Sequence, residues 1–411
     1  MTAKIVTKEW QTVELGSLCD GIVGGGTPTT KNKDYWAGEI PWITSKWLGE
    51  KMYLRDGEKN ISEDAIKHSA THLIPENSLI FATRVGVGKV GINSIPLAIN
   101  QDLAGLIISE STDVLFLAYQ LTTDRVQKYI TALKRGATIQ GITREDLKQI
   151  LIHAPALNEQ RAIARVLTTV QDAITEQENL IAKLKEVKRS MMHHLFTHGI
   201  KGEKTKMTEI GEIPESWEEM EIGAFGRIVT GSTPSTVVEE YYSPSEIDFI
   251  SPGDIGYGKY IYYSEKQISK AGFEVSRPIP KDAVCCVCIG SSIGKVAKAY
   301  RDSTTNQQIN TIVCSDGFDS EFIYYLLSFY SDTWRGHATF GPVPMLSKGA
   351  FSKIKIPACT DTNEQNKIAS ALAAVDDKIE SLEEKMQTYK NLLKTLLHEL
   401  MSGERRVSTK L

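Results

Sequence analysis

The feature that most constrains this chain is that it contains itself twice. A shift of about 205 residues superposes the second half on the first, block after block and in order. The block W-x3-E-L-G-x-L from Trp10 to Leu18 returns as W-x3-E-I-G-x-F from Trp217 to Phe225, and GGGTPTT around Thr27 and Pro28 returns as TGSTPST around Thr233 and Pro234. IPWIT at Ile40 matches IDFIS at Ile247, and G-K-V at Gly88 matches G-K-V at Gly294. NQD at Asn100 matches NQQ at Asn306, FLAYQL at Phe116 matches FIYYLL at Phe322, and NEQ recurs at Asn158 and Asn363. Between the blocks the copies diverge, most strongly over 45–72 against 252–277. A shared frame carrying two different surfaces is the expected product.

Each copy reads as two parts. The first is an α/β (α+β) domain of short strand-like runs, such as SLIFATRV and KVGINSI, with a helix expected over FLAYQLTTDRVQKYITALK. The second part is a long helix. Ile368, Leu372, Val375, Ile379, Leu382, Met386, Tyr389, Leu393, Leu396 and Leu400 step by 4 and 3 without a gap, a heptad seam. The first copy repeats it as Ile163, Leu167, Val170, Ile174, Ile181, Leu184, Met191 and Leu195, with Gln177 and Lys188 as polar interruptions.

An isolated helix of this kind buries nothing, so each needs a partner, and the other copy's helix is the nearest. Because domain ends usually lie close together, the second helix is expected to run back beside the first as an antiparallel coiled coil about 60 Å long. That arrangement predicts a dumbbell with one domain at each end. The expected boundaries are 1–157 for the first domain, 158–198 for its helix, 199–216 for a polar linker, 217–362 and 363–402 for the second pair, and a frayed basic tail at 403–411.

Composition excludes several classes. The chain has 411 residues, 41% hydrophobic and 24% charged, which fits folded domains and not a disordered polymer. No apolar run approaches the roughly 18 residues of a membrane span, and MTAKIVTKEW has no signal-like apolar stretch, so a cytoplasmic address is expected. Cys285, Cys286 and Cys288 sit in AVCCVCIG, which reads as a buried strand more readily than as a metal or redox site. Gly86, Gly88 and Gly91 form a lone GxGxxG with strand-like flanks and no following helix, and the sequence around Lys295 has the wrong glycine spacing for a phosphate-binding loop. No [DN]-P-P-[YF] tetrapeptide of an adenine methyltransferase occurs.

TGSTPST, the G-K-V strand followed by NQ, the helix-leading NEQ-x2-I-A, and THGIKGEKTKMTEIGEIPESW together resemble the specificity (S) subunit of type I DNA restriction-modification systems, over nearly the whole chain. The resemblance implies two target recognition domains, each reading one half of a split, asymmetric double-stranded DNA sequence, with the helix pair setting the unread spacer. It further implies docking of two methyltransferase (M) subunits and of motor-nuclease (R) subunits, which would bring S-adenosylmethionine, ATP and Mg. This chain would then be non-catalytic, with no cofactor or metal of its own. The alternatives are a coiled-coil scaffold that binds only proteins, or an enzyme built on a duplicated β-rich domain.

Charge limits how the chain can hold DNA. Residues 1–157 carry 17 basic and 17 acidic side chains, and residues 201–362 carry 16 against 21. Neither domain is basic, so partners are expected to supply part of the phosphate-binding free energy. The candidates for DNA contact in the first domain are Lys31, Lys33, Lys46, Arg84, Lys89, Lys134, Arg135, Thr138 and Gln140. In the second they are Lys259, Lys266, Lys295, Arg335 and His337.

Overall fold

A computed structural model describes residues 10–49, 52–135, 140–339 and 341–408. Two compact units emerge. One runs to Gln177 and resumes at Lys385; the other is Glu178–Glu384.

The first unit is built on a five-stranded sheet of β1 (Cys19–Gly24), β2 (Tyr53–Leu54), β3 (Leu79–Ala82), β4 (Val90–Asn93) and β5 (Leu103–Ile108), in the order β1-β5-β3-β4-β2. A four-stranded sheet of Ile40–Ile43, Lys59–Ile61, Leu73–Ile74 and Leu97–Ile99 accompanies it. The central strand β3 shows why its sequence is a continuous apolar run. Leu79 and Phe81 enter one hydrophobic cluster while Ile80 and Ala82 enter another, so both faces are covered. Helix α1 (Val114–Thr122) packs on one face, with Leu117, Ala118 and Leu121 in the same cluster as Leu79.

The single helix expected from Phe116 onward is in fact two, with Thr123 extended between Val114–Thr122 and Asp124–Leu133. The Thr123 hydroxyl donates back to the Gln120 carbonyl at 2.7 Å, the competition by which Thr ends helices.

The second unit repeats the sheet as β6 (Gly226–Thr230), β7 (Tyr260–Ile261), β8 (Val284–Val287), β9 (Val296–Ala299) and β10 (Ile309–Cys314), ordered β6-β10-β8-β9-β7. Its central β8 is the cysteine-rich run. Val284 and Cys286 face one cluster and Cys285 and Val287 the other, so the cysteines serve as small core residues. Burial pushes the Cys285 and Cys288 thiols up to about 12, which keeps them neutral. Helix α3 (Ser320–Phe329) takes the place of α1.

Two long helices, α2 (Leu157–His198) and α4 (Thr362–Ser402), contact each other. Within the second unit Lys188 meets Asp376 and Lys185 meets Glu383, each at 2.7 Å. One number falls as the other rises, the signature of antiparallel helices. Within the first unit Ile163, Ala164 and Leu167 pack with Leu393, Leu396, Leu400 and Met401. The seam positions Ile163, Leu167, Ile174, Ile181, Ile368, Leu372, Ile379, Leu382 and Leu400 are buried, and Val170, Leu184, Met191, Leu195, Val375, Met386, Tyr389, Leu393 and Leu396 are half-buried. The seam ends do more than pair: Ile163 and Leu167 also touch Phe116 and Tyr119, while Ile368 and Leu372 join the Trp217 and Phe322 core.

Two expectations need correction. The stretch 199–216 holds a β-hairpin, Thr205–Thr208 with Gly211–Pro214, whose Ile213 is buried in the second unit's core. The tail is tied down as far as it is described. Glu159 is only 7% exposed and needs a cation; Arg406 supplies it, with its guanidinium over the Trp10 ring. No helix among the described residues is long and apolar enough to cross a membrane.

Candidate nucleic-acid interface

In each unit one end of the five-stranded sheet collects the repeated motifs. In the first, β1 ends at Gly24, which pairs with Ala104 at the start of β5; Ala82 ends β3 opposite Leu103; and Val90 opens β4 opposite Phe81. The loops leaving these ends therefore share one rim. Hydrogen bonds stitch them together: Gly26 N–H to Ile99 O, Thr83 N–H to Asp102 O, and Ile142 N–H to Thr83 O. The second unit builds the same rim from Thr230, Val287, Val296 and Ile309, with Ser232 N–H bonded to Thr305 O and Leu346 N–H to Cys288 O.

The glycine two positions before the Thr-Pro of each loop is fixed by crowding. A Cβ on Gly25 would lie 2.2 Å from the Ile99 carbonyl oxygen, and one on Gly231 would lie 2.2 Å from that of Thr305. Glycine alone lets the loop close this tightly.

The G-K-V motif acts as a latch. The Lys89 ammonium donates to Leu48 O at 3.2 Å, and Lys295 donates to Ile255 O at 3.0 Å. Each carbonyl precedes a left-handed glycine, Gly49 at φ +116° and Gly256 at φ +114°. These lysines draw the loop after Ile40–Ile43, and the loop after Ile247–Ile250, to the rim. Both loops lie in the segments where the copies diverge. The Gly86 and Gly88 turn simply joins β3 to β4, with no helix following it.

The sequence candidates distribute unevenly over this rim. Arg84 opens the β3–β4 turn, Lys89 closes it, and Arg135 pairs with Gly141 beside it in an isolated bridge next to exposed Gln140. The Arg135 guanidinium also reaches Asp146 at 3.2 Å. Lys134 precedes this loop as the cap of Asp124–Leu133. Lys46 rides on the latched loop within the turn Ser45–Trp47. Lys31 and Lys33 lie on the loop beyond Thr27, Lys33 opening the turn Lys33–Trp36 that leads into the second sheet. Thr138 lies outside the described residues.

In the second unit Arg335 lies against Gly294, the residue before Lys295, a Cβ on Gly294 falling 3.1 Å from Arg335 Cδ, and exposed His337 follows two residues on. Lys266 sits beside the edge strand Gln267–Ile268, its carbonyl accepting from Phe249 N–H. Lys259, expected at the DNA surface, is instead spent on Glu321 at 2.5 Å with its side chain only 13% exposed. Lys298 and Lys259 together hold the half-buried Glu321 carboxyl below its ordinary range against the opposing effect of burial. A charge so neutralised is not free for phosphate.

Six further rim residues lie outside the sequence candidates. Thr27 and Gln101, and likewise Thr233 and Gln307, face each other from adjacent loops. Arg144 places its guanidinium carbon 3.5 Å from where a Gly24 Cβ would stand, and Arg277 donates to Thr230 O at 3.1 Å. The recurrence of TP and NQ in both copies is the signal that could have found the first four.

The family model described as "Type I restriction modification DNA specificity domain" matches residues 7–186 and again 214–390. The chain belongs to that family. Both rims therefore fall within DNA specificity domains. Among relatives, the type I restriction enzyme MjaIX specificity subunit of Methanocaldococcus jannaschii is 29% identical over 254 residues, 60% of this chain and 58% of that protein's length. The MjaVIII specificity subunit of the same organism is 24% identical across 98% of this chain and 94% of its own. The EcoR124I/EcoR124II specificity subunit of Escherichia coli is 32% identical over 41% of this chain and 43% of its own. The crystal structure of the type I system S subunit from M. genitalium shares the fold, with a TM-score of 0.63 at 18% identity over 97% of this chain and 98% of that one.

Proposed function

We propose that this specificity subunit reads a split duplex DNA target, each unit applying its rim to one half-site, while α2 and α4 set the unread spacer and dock methyltransferase subunits. The observation that carries this reading is the rim built twice from the same residues but furnished with different loops. Lys89 and Lys295 hold loops of unrelated sequence in the same place, which suits two recognition surfaces for two unlike sequences. Methylation and cleavage fall to M and R partners carrying S-adenosylmethionine, ATP and Mg, and this chain takes no catalytic part.

The near-neutral first domain and acidic second domain make the isolated chain a weak binder, since phosphate neutralisation dominates affinity. Electrophoretic mobility shifts test this directly. The chain alone is expected to bind poorly at physiological salt and the chain with M subunits tightly; nanomolar binding by the chain alone would reject the dependence on partners. Mapping methylated adenines in the host then gives both half-sites and their gap. Four residues inserted into each long helix should change the gap and keep the half-sites, whereas an unchanged gap removes the helices from that role.

A further inference from the structure

The Thr27–Gln101 and Thr233–Gln307 pairs are the same device made twice. In each, the threonine hydroxyl donates to the glutamine Oε1, at 2.5 Å in the first unit and 2.7 Å in the second. All four side chains are exposed, so the core does not require them. With Oε1 engaged, the carboxamide keeps its two Nε2 hydrogens, and among the described residues no acceptor meets them. What the pair offers outward is therefore a donor group, held in place by a loop whose Gly25 or Gly231 admits no side chain. A cation stands by in both units, Arg144 near Gly24 and Arg277 on the Thr230 carbonyl.

A donor on a loop that begins beside a cation suits an anion. The two units carry unlike recognition loops, so a device identical in both must meet something identical in both half-sites. In duplex DNA that common feature is the sugar-phosphate backbone, not a base. We propose that Gln101 and Gln307 each donate to a backbone phosphate oxygen, anchoring the rim on the duplex while the divergent loops read bases. This deepens the DNA reading above and rests on it.

The test uses the assembled complex with M subunits, and duplexes carrying either the cognate target or one with both half-sites scrambled. Gln101→Glu and Gln307→Glu keep an acceptor for the threonine hydroxyl but lose the donors and add a negative charge; Gln101→Ala and Gln307→Ala lose the donors and that acceptor together without adding charge. Each alanine variant is expected to weaken binding about tenfold, by the same factor on cognate and scrambled duplex, with the glutamate variants weaker still and melting temperatures unchanged. Loss confined to the cognate duplex would mean a base contact and overturn the proposal, as would unchanged affinity for both. Impaired assembly with M subunits and normal binding once assembled would place the pair in a protein interface and overturn it too. A wild-type complex that binds no duplex would defeat the underlying DNA reading, and this inference with it.

Discussion

Arg406 and Glu159 are 247 positions apart in the chain, yet the guanidinium grips the carboxylate through Nε at 2.5 Å and a terminal nitrogen at 2.6 Å. The same relationship exists in the second unit, where Lys201 reaches Glu364 at 2.9 Å. Glu159 and Glu364 are the acidic residues of the two NEQ motifs, and Lys201 and Arg406 each follow the end of a long helix. The glutamines beside them complete the clasp: Gln160 accepts from Asp113 N–H at 2.9 Å, and Gln365 from Asp319 N–H at 2.8 Å. In each unit, then, the chain leaving one helix is fastened to the start of the other.

Replacing Arg406 by alanine leaves a nearly buried carboxylate without its cation. The expected loss is about 2 kcal/mol in the first unit, allowing for the partial exposure of the arginine. Ending the chain at Ser402 should cost at least as much. Thermal or urea unfolding of the variants checks both, and a tail that could be removed without loss would show that the pair contributes nothing.

Glu364 is the more demanding partner. Its side chain is 1% exposed and accepts from Trp217 Nε1 at 3.3 Å in addition to Lys201. Glu364→Ala strands the indole N–H in the core, for an expected cost of about 2–3 kcal/mol. Glu364→Gln, which still accepts from Trp217, should recover part of it, as read by the same unfolding curves.

Asp146 links the rim to pH. The Thr143 N–H at 3.0 Å and hydroxyl at 2.7 Å both donate to its carboxylate, closing a capping box on the short helix Arg144–Lys148. These bonds, aided by Arg135, hold the carboxyl below its ordinary value of 3.8. A group depressed on folding contributes fully above its unfolded value and loses the contribution as pH falls through the folded one. Melting temperatures measured from neutral pH downward should therefore decline below about pH 4, and Asp146→Asn should flatten that decline. Asp146→Ala at neutral pH should cost about 1 kcal/mol, the usual worth of such a cap.

The lysine latches predict a local effect. Lys89→Met should free the loop around Leu48 and Gly49 while leaving the sheet intact, seen as faster amide exchange there without a matching fall in global stability. Lys295→Met should do the same at Ile255 and Gly256. Unchanged exchange would mean that other contacts hold these loops.

The cysteines in and just after β8 should resist chemistry. Thiol-specific reagents at pH 8 are expected to leave Cys285, Cys286 and Cys288 unmodified until the protein unfolds, because each thiol is buried and neutral. Cys286→Ser, which sets a hydroxyl among apolar neighbours, should destabilise by about 1–3 kcal/mol.

Periodicity and repetition are local properties, and they made a good part of this protein legible. The doubled motifs identified two copies, the 4 and 3 spacing of apolar residues marked both long helices and the face they bury, and apolar runs marked SLIFATRV and AVCCVCIG as strands. Which charges are free is not a local property. Lys259 and Lys89 look alike in the sequence, yet only the fold brings Glu321 to the first and the Leu48 carbonyl to the second. The anchoring of the tail and of the stretch 199–216 is hidden for the same reason: their polar composition says nothing of Glu159 and Glu364, which stand at the starts of the long helices. Sequence alone determined the repeat, the helices and the core faces, because solvent exclusion acts through patterns of neighbouring residues. Tertiary structure alone decided the rim, the latches and the clasps, because a hydrogen bond depends on distances that chain order does not contain.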